Sequence, residues 1–348
     1  MFSVFEGYIS KELADIYVAR NQLNTAEEYL LKSITLNNQL NSALNNFDTC
    51  IHLANLYHCK ANYQRANDEL NNARKVSTIS QATLDDTIVY MYEAKWSLLR
   101  GQILPAQKWL QSIGLIDHET VEEPEGLPKP IIESAHLISV RLNLVQGQLT
   151  SNPEKFSLAS QKINKLIPSL TERKLVERII EAYILSAFIN RELGKNAEMI
   201  TDLRNALSLA EPEGFRQVFI NEGIPMSRLL SQYLAAMKQN KIQNDFPSRG
   251  FVADLLFRLT GKNVEHENSE IFHEVNPEES IFIVELLTAR ESEILQLVAK
   301  GRTNNEVALD LCISINTVKR HLNNTFMKLG VSTRTQAIRV AQSQGLIN

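Results

Sequence analysis

With 348 residues, 44% of them hydrophobic and 22% charged, the chain is long enough for two or three packed cores and has the composition of an ordinary soluble protein. No apolar run approaches the ~20 residues that span a bilayer, and the start Met1-Phe2-Ser3-Val4-Phe5-Glu6 lacks the basic-then-apolar pattern of a secretory signal, so the expected compartment is the cytoplasm, with no membrane partner. The net charge of −4 is unevenly spread: residues 281–348 carry eight Lys+Arg against five Asp+Glu, or +3, leaving 28 against 35, or −7, for residues 1–280.

Strand signals are scarce. No Asn-Gly or Asp-Gly separates alternating apolar runs, whereas apolar residues recur at three- and four-residue spacing almost throughout, so the expected class is all-α. Leu13, Tyr17, Ala26 and Leu30 are followed by Leu53, Tyr57, Ala66 and Leu70, each displaced by 40, and Ala106 and Leu110 extend the offset. An apolar helix, a polar turn such as Arg20–Asn24 and a second helix opening near a small alanine make one unit. The alanine lets the paired helices approach, and each unit buries its apolar face against the next. Less regular units are expected in Trp96–Leu110 around Gly101, in Leu137–Gly147, and in Ala182–Leu209 around Leu193-Gly194-Lys195. Over roughly residues 8–257 the pattern is similar to tetratricopeptide repeats of a lengthened kind. Tyr17, Tyr57, Trp96 and Trp109 are expected to fill the core between helices.

The acidic, proline-containing piece Glu119–Pro130 reads as a loop inside the array, and the polar stretch Gly261–Glu279 as a linker. The expected division is a repeat domain over 1–260, a linker over 261–280 and a C-terminal domain over 281–348. His52, His58 and Cys59 crowd one helix, but a metal site needs further ligands that nothing nearby suggests. Cys50, Cys59 and Cys312 are too sparse and odd a set for structural disulfides.

In the last segment, capping logic locates helix starts. Thr288, Thr303 and Thr333 are followed three residues on by Glu291, Glu306 and Gln336, and Ser314 supplies a fourth cap. In the helix after Ser314, Val318, Leu322, Phe326 and Leu329 fall on one stripe, with Lys319, Arg320, Asn323 and Met327 on the flank and opposite side. The preceding helix turns Val307, Ala308 and Leu311 inward. Such a pair presents its second helix to a major groove, where Lys and Arg donate to guanine and Asn pairs with adenine. The local excess of basic charge suits contact with phosphate.

Leu287–Glu291, Gly301–Ala308, Ile313–His321, Lys328–Val331 and Arg334 resemble the LuxR-type helix-turn-helix in order and spacing over some 60 residues. The resemblance implies a four-helix module that binds double-stranded DNA. It places Lys319, Arg320 and Asn323 at base-reading positions and Asn304, Thr317, His321, Lys328 and Arg334 at the DNA backbone. It also implies a homodimer through the last helix, with Ala337 and Ala341 allowing close packing, and activation of transcription through RNA polymerase. Asn305 stands where that family usually has Lys or Arg, so the salt dependence of binding should be shallower by about one unit. Phe326 replaces a smaller aliphatic and is expected to be a core adjustment.

The segment Ala210–Gly223 resembles the end of the repeat domain in large MalT-like regulators, in which such repeats precede a LuxR-type domain. Those regulators also carry an ATPase, but neither Gly194-Lys195 nor Gly261-Lys262 belongs to a phosphate-binding loop. Glu122, Glu123 and Glu125 lie beside prolines and read as solvated charge. With no nucleophile elbow or phosphate loop, no catalytic residue, metal or cofactor is expected. The expected architecture is therefore a tetratricopeptide-like superhelix followed by a four-helix LuxR-type domain. Its expected role is a DNA-binding regulator whose repeats receive an inducer or a partner protein. The alternative is a repeat scaffold whose C-terminal module has weak or lost DNA affinity.

Overall fold

A computed structural model describes the backbone of residues 2–39, 43–80, 83–115, 126–238, 247–261, 289–311, 313, 315–328 and 334–343. The chain forms two compact units, Met1–Asn276 and Pro277–Asn348. Among the described residues every regular element is a helix, and no helix is long and apolar enough to cross a membrane. The expected linker beyond Gly261, the caps Thr288, Ser314 and Thr333, Cys312 and the carboxylates Glu122, Glu123 and Glu125 lie outside the described residues.

The first unit is built from antiparallel helix pairs: α1 (Phe2–Ala19) with α2 (Leu23–Gln39), α3 (Ala43–Cys59) with α4 (Tyr63–Ser80), and α5 (Thr83–Leu99) with α6 (Leu104–Ser112). There follow α7 (Lys129–Thr150) with α8 (Pro153–Glu172), α9 (Val176–Glu192) with α10 (Asn196–Glu213), the short α11 (Gln217–Ile220), and α12 (Ile224–Lys238) with α13 (Arg249–Thr260). The 40-residue offset extends to the turns themselves. Gln22, Asn62 and Gln102 donate their N–H to Tyr17, Tyr57 and Ser97, and Asn21, Ala61 and Gly101 between them adopt left-handed φ of 59°, 55° and 72°. This six-to-one closure satisfies the carbonyls orphaned at each helix end and reverses the chain within three residues.

Ala26, Ala66 and Ala106 are 0, 1 and 0% exposed, as the pattern requires. Tyr57, Trp96 and Trp109 are buried, and Trp109 donates its indole N–H to the Thr87 carbonyl at 3.1 Å. Tyr17 is half-buried and stacks on Tyr29 at 5.2 Å between centroids. The unit expected at Leu137–Gly147 is instead the interior of one long helix, α7, which ends at the left-handed Ser151. Gly147 makes no turn there: a Cβ would lie 2.6 Å from the Phe156 ring of α8, so the glycine permits close approach of the two helices. Of the loop expected at Glu119–Pro130, residues 126–128 are loop, but Lys129 and Pro130 already form the first turn of α7, where a proline lacks only an orphaned N–H.

Arg216 donates its N–H to the Ala19 carbonyl at 2.8 Å, and Arg20 Nε donates to the Glu213 carbonyl at 3.0 Å. Asn21 Nδ2 donates to Gln217 Oε1 at 2.6 Å, and its Oδ1 accepts from Arg258 at 2.8 Å. The first turn of the array is thereby fastened to its end, and the superhelix closes into a ring. The inner wall is set by α1, α3, α5, α7, α9 and α11. His52, His58 and Cys59 do not converge. His52 pairs with Asp15 at 2.6 Å, His58 stacks on Trp96 at 4.4 Å, and the Cys59 thiol faces Asn221 at 3.8 Å.

Candidate nucleic-acid interface

The second unit holds α14 (Ala289–Ala299), α15 (Asn304–Asp310), α16 (Ile315–Lys328) and α17 (Arg334–Ser343). Helix α15 begins where Thr303 and Glu306 satisfy each other. The Thr303 hydroxyl accepts from the Glu306 N–H at 3.3 Å, and the Glu306 carboxylate accepts from the Thr303 N–H at 2.7 Å. That amide, with the Thr303 hydroxyl, holds the Glu306 carboxyl below its usual range.

One small core unites the four helices: Ile294, Leu295 and Val298 from α14, Val307 and Ala308 from α15, Val318 and Leu322 from α16, Ala337 and Ala341 from α17. Leu311 and Ile313 pack against it from the turn, where Ile313 donates its N–H to the Ala308 carbonyl at 3.0 Å. Burying Val318 and Leu322 fixes the roll of α16, and Lys319, adjacent to Val318, is exposed. The buried stripe continues through Thr325, which is fully enclosed and whose hydroxyl has no hydrogen-bond partner among the described residues. Val318, Leu322 and Thr325 are spaced i, i+4, i+7, as one helical face requires. The side chains of Phe326 and Leu329 lie outside the described residues.

The other expected DNA-contacting residues divide by placement. Arg320, Asn323 and Lys328 stand on α16 with side chains outside the described residues. Thr317 and His321 are half-buried on the same helix, and Asn304 is half-buried at the first residue of α15. Arg334 is a brace that the sequence did not reveal. Its guanidinium donates to the Val298 carbonyl at 3.1 Å, to the Arg302 carbonyl, and to Asn304 Oδ1 at 3.4 Å. A cation at the last turn of α14 also opposes that helix's dipole. Ala337 and Ala341 are both 0% exposed in the module's own core, so their close packing is with α14 and α16 rather than with an open surface.

An α-helix with its side chains is ~10–12 Å across, and the major groove of B-form DNA is ~12 Å wide. Helix α16 is anchored on one side by its own core and carries an exposed lysine beside the anchor. Its diameter matches the width of such a groove.

The profile of the MalT-like TPR region matches residues 3–236, and that of the bacterial regulatory proteins of the luxR family matches residues 285–341. The chain belongs to the MalT-like TPR family, whose match spans well over half of it. It is 23% identical over 248 residues to the HTH-type transcriptional regulator MalT of Serratia proteamaculans, covering 70% of this chain and 25% of that protein. It is 26% identical over 219 residues to the MalT of Cronobacter sakazakii, covering 62% of this chain and 24% of that one. The transcriptional regulatory protein LiaR of Bacillus subtilis is 52% identical over 64 residues, 18% of this chain and 30% of LiaR. The chain thus spans about a quarter of the length of the MalT relatives it matches.

Proposed function

We propose that the chain is a DNA-binding transcriptional regulator whose ring of repeats receives a signal and whose C-terminal module reads double-stranded DNA. In this reading residues 1–260 form the sensor, 261–280 the connection and 281–348 the reader. The observation that carries it is the setting of α16: Val318 and Leu322 lock one face into the core while Lys319 stands exposed beside them. Lys319, Arg320 and Asn323 are assigned to base edges, and Thr317, His321, Lys328 and Asn304 to the sugar-phosphate backbone. Arg334 acts by holding Asn304 in place.

A homodimer through α17 would use the side of that helix away from Ala337 and Ala341, where Thr335 is exposed. Activation through contact with RNA polymerase belongs to the same proposal, as does an inducer or partner protein on the repeats; the MalT and LiaR relatives are named as transcriptional regulators. Selection from a random pool of double-stranded DNA by the full chain tests the proposal. A dimer should enrich a two-fold-symmetric sequence with half-sites about one helical turn apart. Recovery of unenriched DNA, or of none, would favour the scaffold.

A further inference from the structure

The bore of the repeat ring contains a cavity of about 250 Å³. That is just below the ~300–1,000 Å³ typical of small-molecule sites, which suits a small occupant. Four carboxylates line it, from Asp15, Glu177, Glu181 and Glu222, against three cations, from Lys95, Arg141 and Arg178. Each cation is engaged by the protein. Lys95 donates to Glu181 at 3.0 Å, Arg141 grips Glu222 with bonds of 2.8 and 2.5 Å, and Arg178 lies 3.3 Å from Glu133 and donates to Ser134 at 2.8 Å. Asp15 is paired with His52.

One carboxylate is left over. Glu177 stands one turn before Glu181 on α9 and has no hydrogen bond or ion pair among the described residues, with Lys95 and Arg178 acting on it only at longer range. Glu177 is exposed to the space of the bore, and the protein packed around it pushes its carboxyl above the usual range. Apolar surface from Trp96, Leu137 and Val218 lies in the same cavity, with the Tyr92 hydroxyl as a further polar group.

We propose that the bore of the ring binds a small organic cation, an amine whose ammonium group pairs with Glu177 and whose carbon chain lies on the apolar wall. This rests on the reading that the repeats sense a ligand, and it names the chemical class of that ligand. An unpaired carboxylate facing a cavity that apolar side chains also line is suited to an ammonium group, because the charge attracts the cation and the apolar wall takes its carbon chain. The cavity also reaches the ring closure: Gln217, which accepts from Asn21 across the closure, lines the bore and donates to Asn221 at 2.7 Å. An occupant therefore steadies the ring.

The test is thermal unfolding and calorimetric titration of the full chain with n-propylamine to n-hexylamine and 1,4-diaminobutane, against alcohols and carboxylates of matched length. Amines should raise Tm and bind with measurable heat, their matched alcohols and carboxylates should not, and Glu177→Gln should weaken amine binding at least tenfold. Glu177→Gln keeps the side chain's shape and removes a charge with no hydrogen bond or ion pair among the described residues, so the variant should fold as well as the parent. Its unfolding temperature without amine, measured on the same preparation, verifies that. Absence of amine binding, equal binding of alcohols, or amine binding that survives Glu177→Gln would each overturn the proposal. Amine binding without DNA selection would sink the regulator alone; DNA selection without amine binding would sink this inference alone.

Discussion

Arg141 of α7 and Glu222, just beyond α11, are joined across the bore by two N–H···O bonds, and each side chain is only 7% exposed. A fork of this kind fixes orientation as well as distance. Breaking such a pair from one side leaves a charge enclosed and unanswered, at a cost of about 3–5 kcal/mol. Arg141→Met should therefore lower the stability of the repeat unit by about that amount, and Arg141→Met with Glu222→Leu should recover much of it. Urea unfolding of the four members of this cycle measures the coupling. Additive losses would show that the pair does not act as a unit.

Ala61 occupies the turn position that Gly101 holds one repeat later, with φ of 55° and 72°. A left-handed alanine costs roughly 1–2 kcal/mol, against about 0.4–1 kcal/mol of extra unfolded-state freedom for a glycine. Ala61→Gly should raise the urea midpoint, with a net gain of about 0.5–1 kcal/mol and an unchanged slope. A lowered midpoint would mean that the turn carries no strain.

His58 stacks on Trp96 with 3° between the ring planes, and burial, with Arg100 and Lys95 nearby, brings its pKa down to about 3. Its Nδ1 has no hydrogen-bond partner among the described residues. The unfolded chain takes up this proton near pH ~6.5 and the folded chain does not. Stability is thus complete above pH ~6.5 and falls as pH drops from there toward the folded value, by up to about 2 kcal/mol at pH ~5. His58→Phe keeps the stack and should flatten the stability profile between pH ~6.5 and ~5. An unchanged profile would show that His58 is not what titrates.

Asn305 is exposed in the first turn of α15. Restoring a cation with Asn305→Lys should tighten DNA binding at low salt and steepen the slope of log K against log salt by about one. The slope, read by fluorescence anisotropy across a salt series, decides the matter. No change would place this turn away from phosphate.

Much of the fold was legible because its determinants are local. The 40-residue recurrence of small and aromatic residues set the helix pairs, and Thr303 with Glu306 marked a helix start that the structure realises. Contacts without a local period were not legible. Arg258 meets Asn21 from 237 residues away, and Arg141 meets Glu222 from 81, so neither the ring closure nor the charges of the bore leave a spacing to detect. Within the C-terminal module the burial of Val318 and Leu322 on α16, with Lys319 exposed beside them, could be read from helical period alone. The inward aim of Ala337 and Ala341 could not, since a small residue suits a core and a dimer seam equally well.

DNA reading by α16 is measured most directly by comparing DNA binding by the full chain with that of Lys319→Ala, on a selected site and on unrelated DNA, over a range of salt. Lys319 is exposed, so its removal leaves the core of Val318 and Leu322 intact. The expected result is tight, salt-dependent binding that Lys319→Ala weakens by about 1–3 kcal/mol on the selected site, with much of the preference over unrelated DNA lost. Equal binding by the parent and the variant, or no preference in the parent, would contradict it.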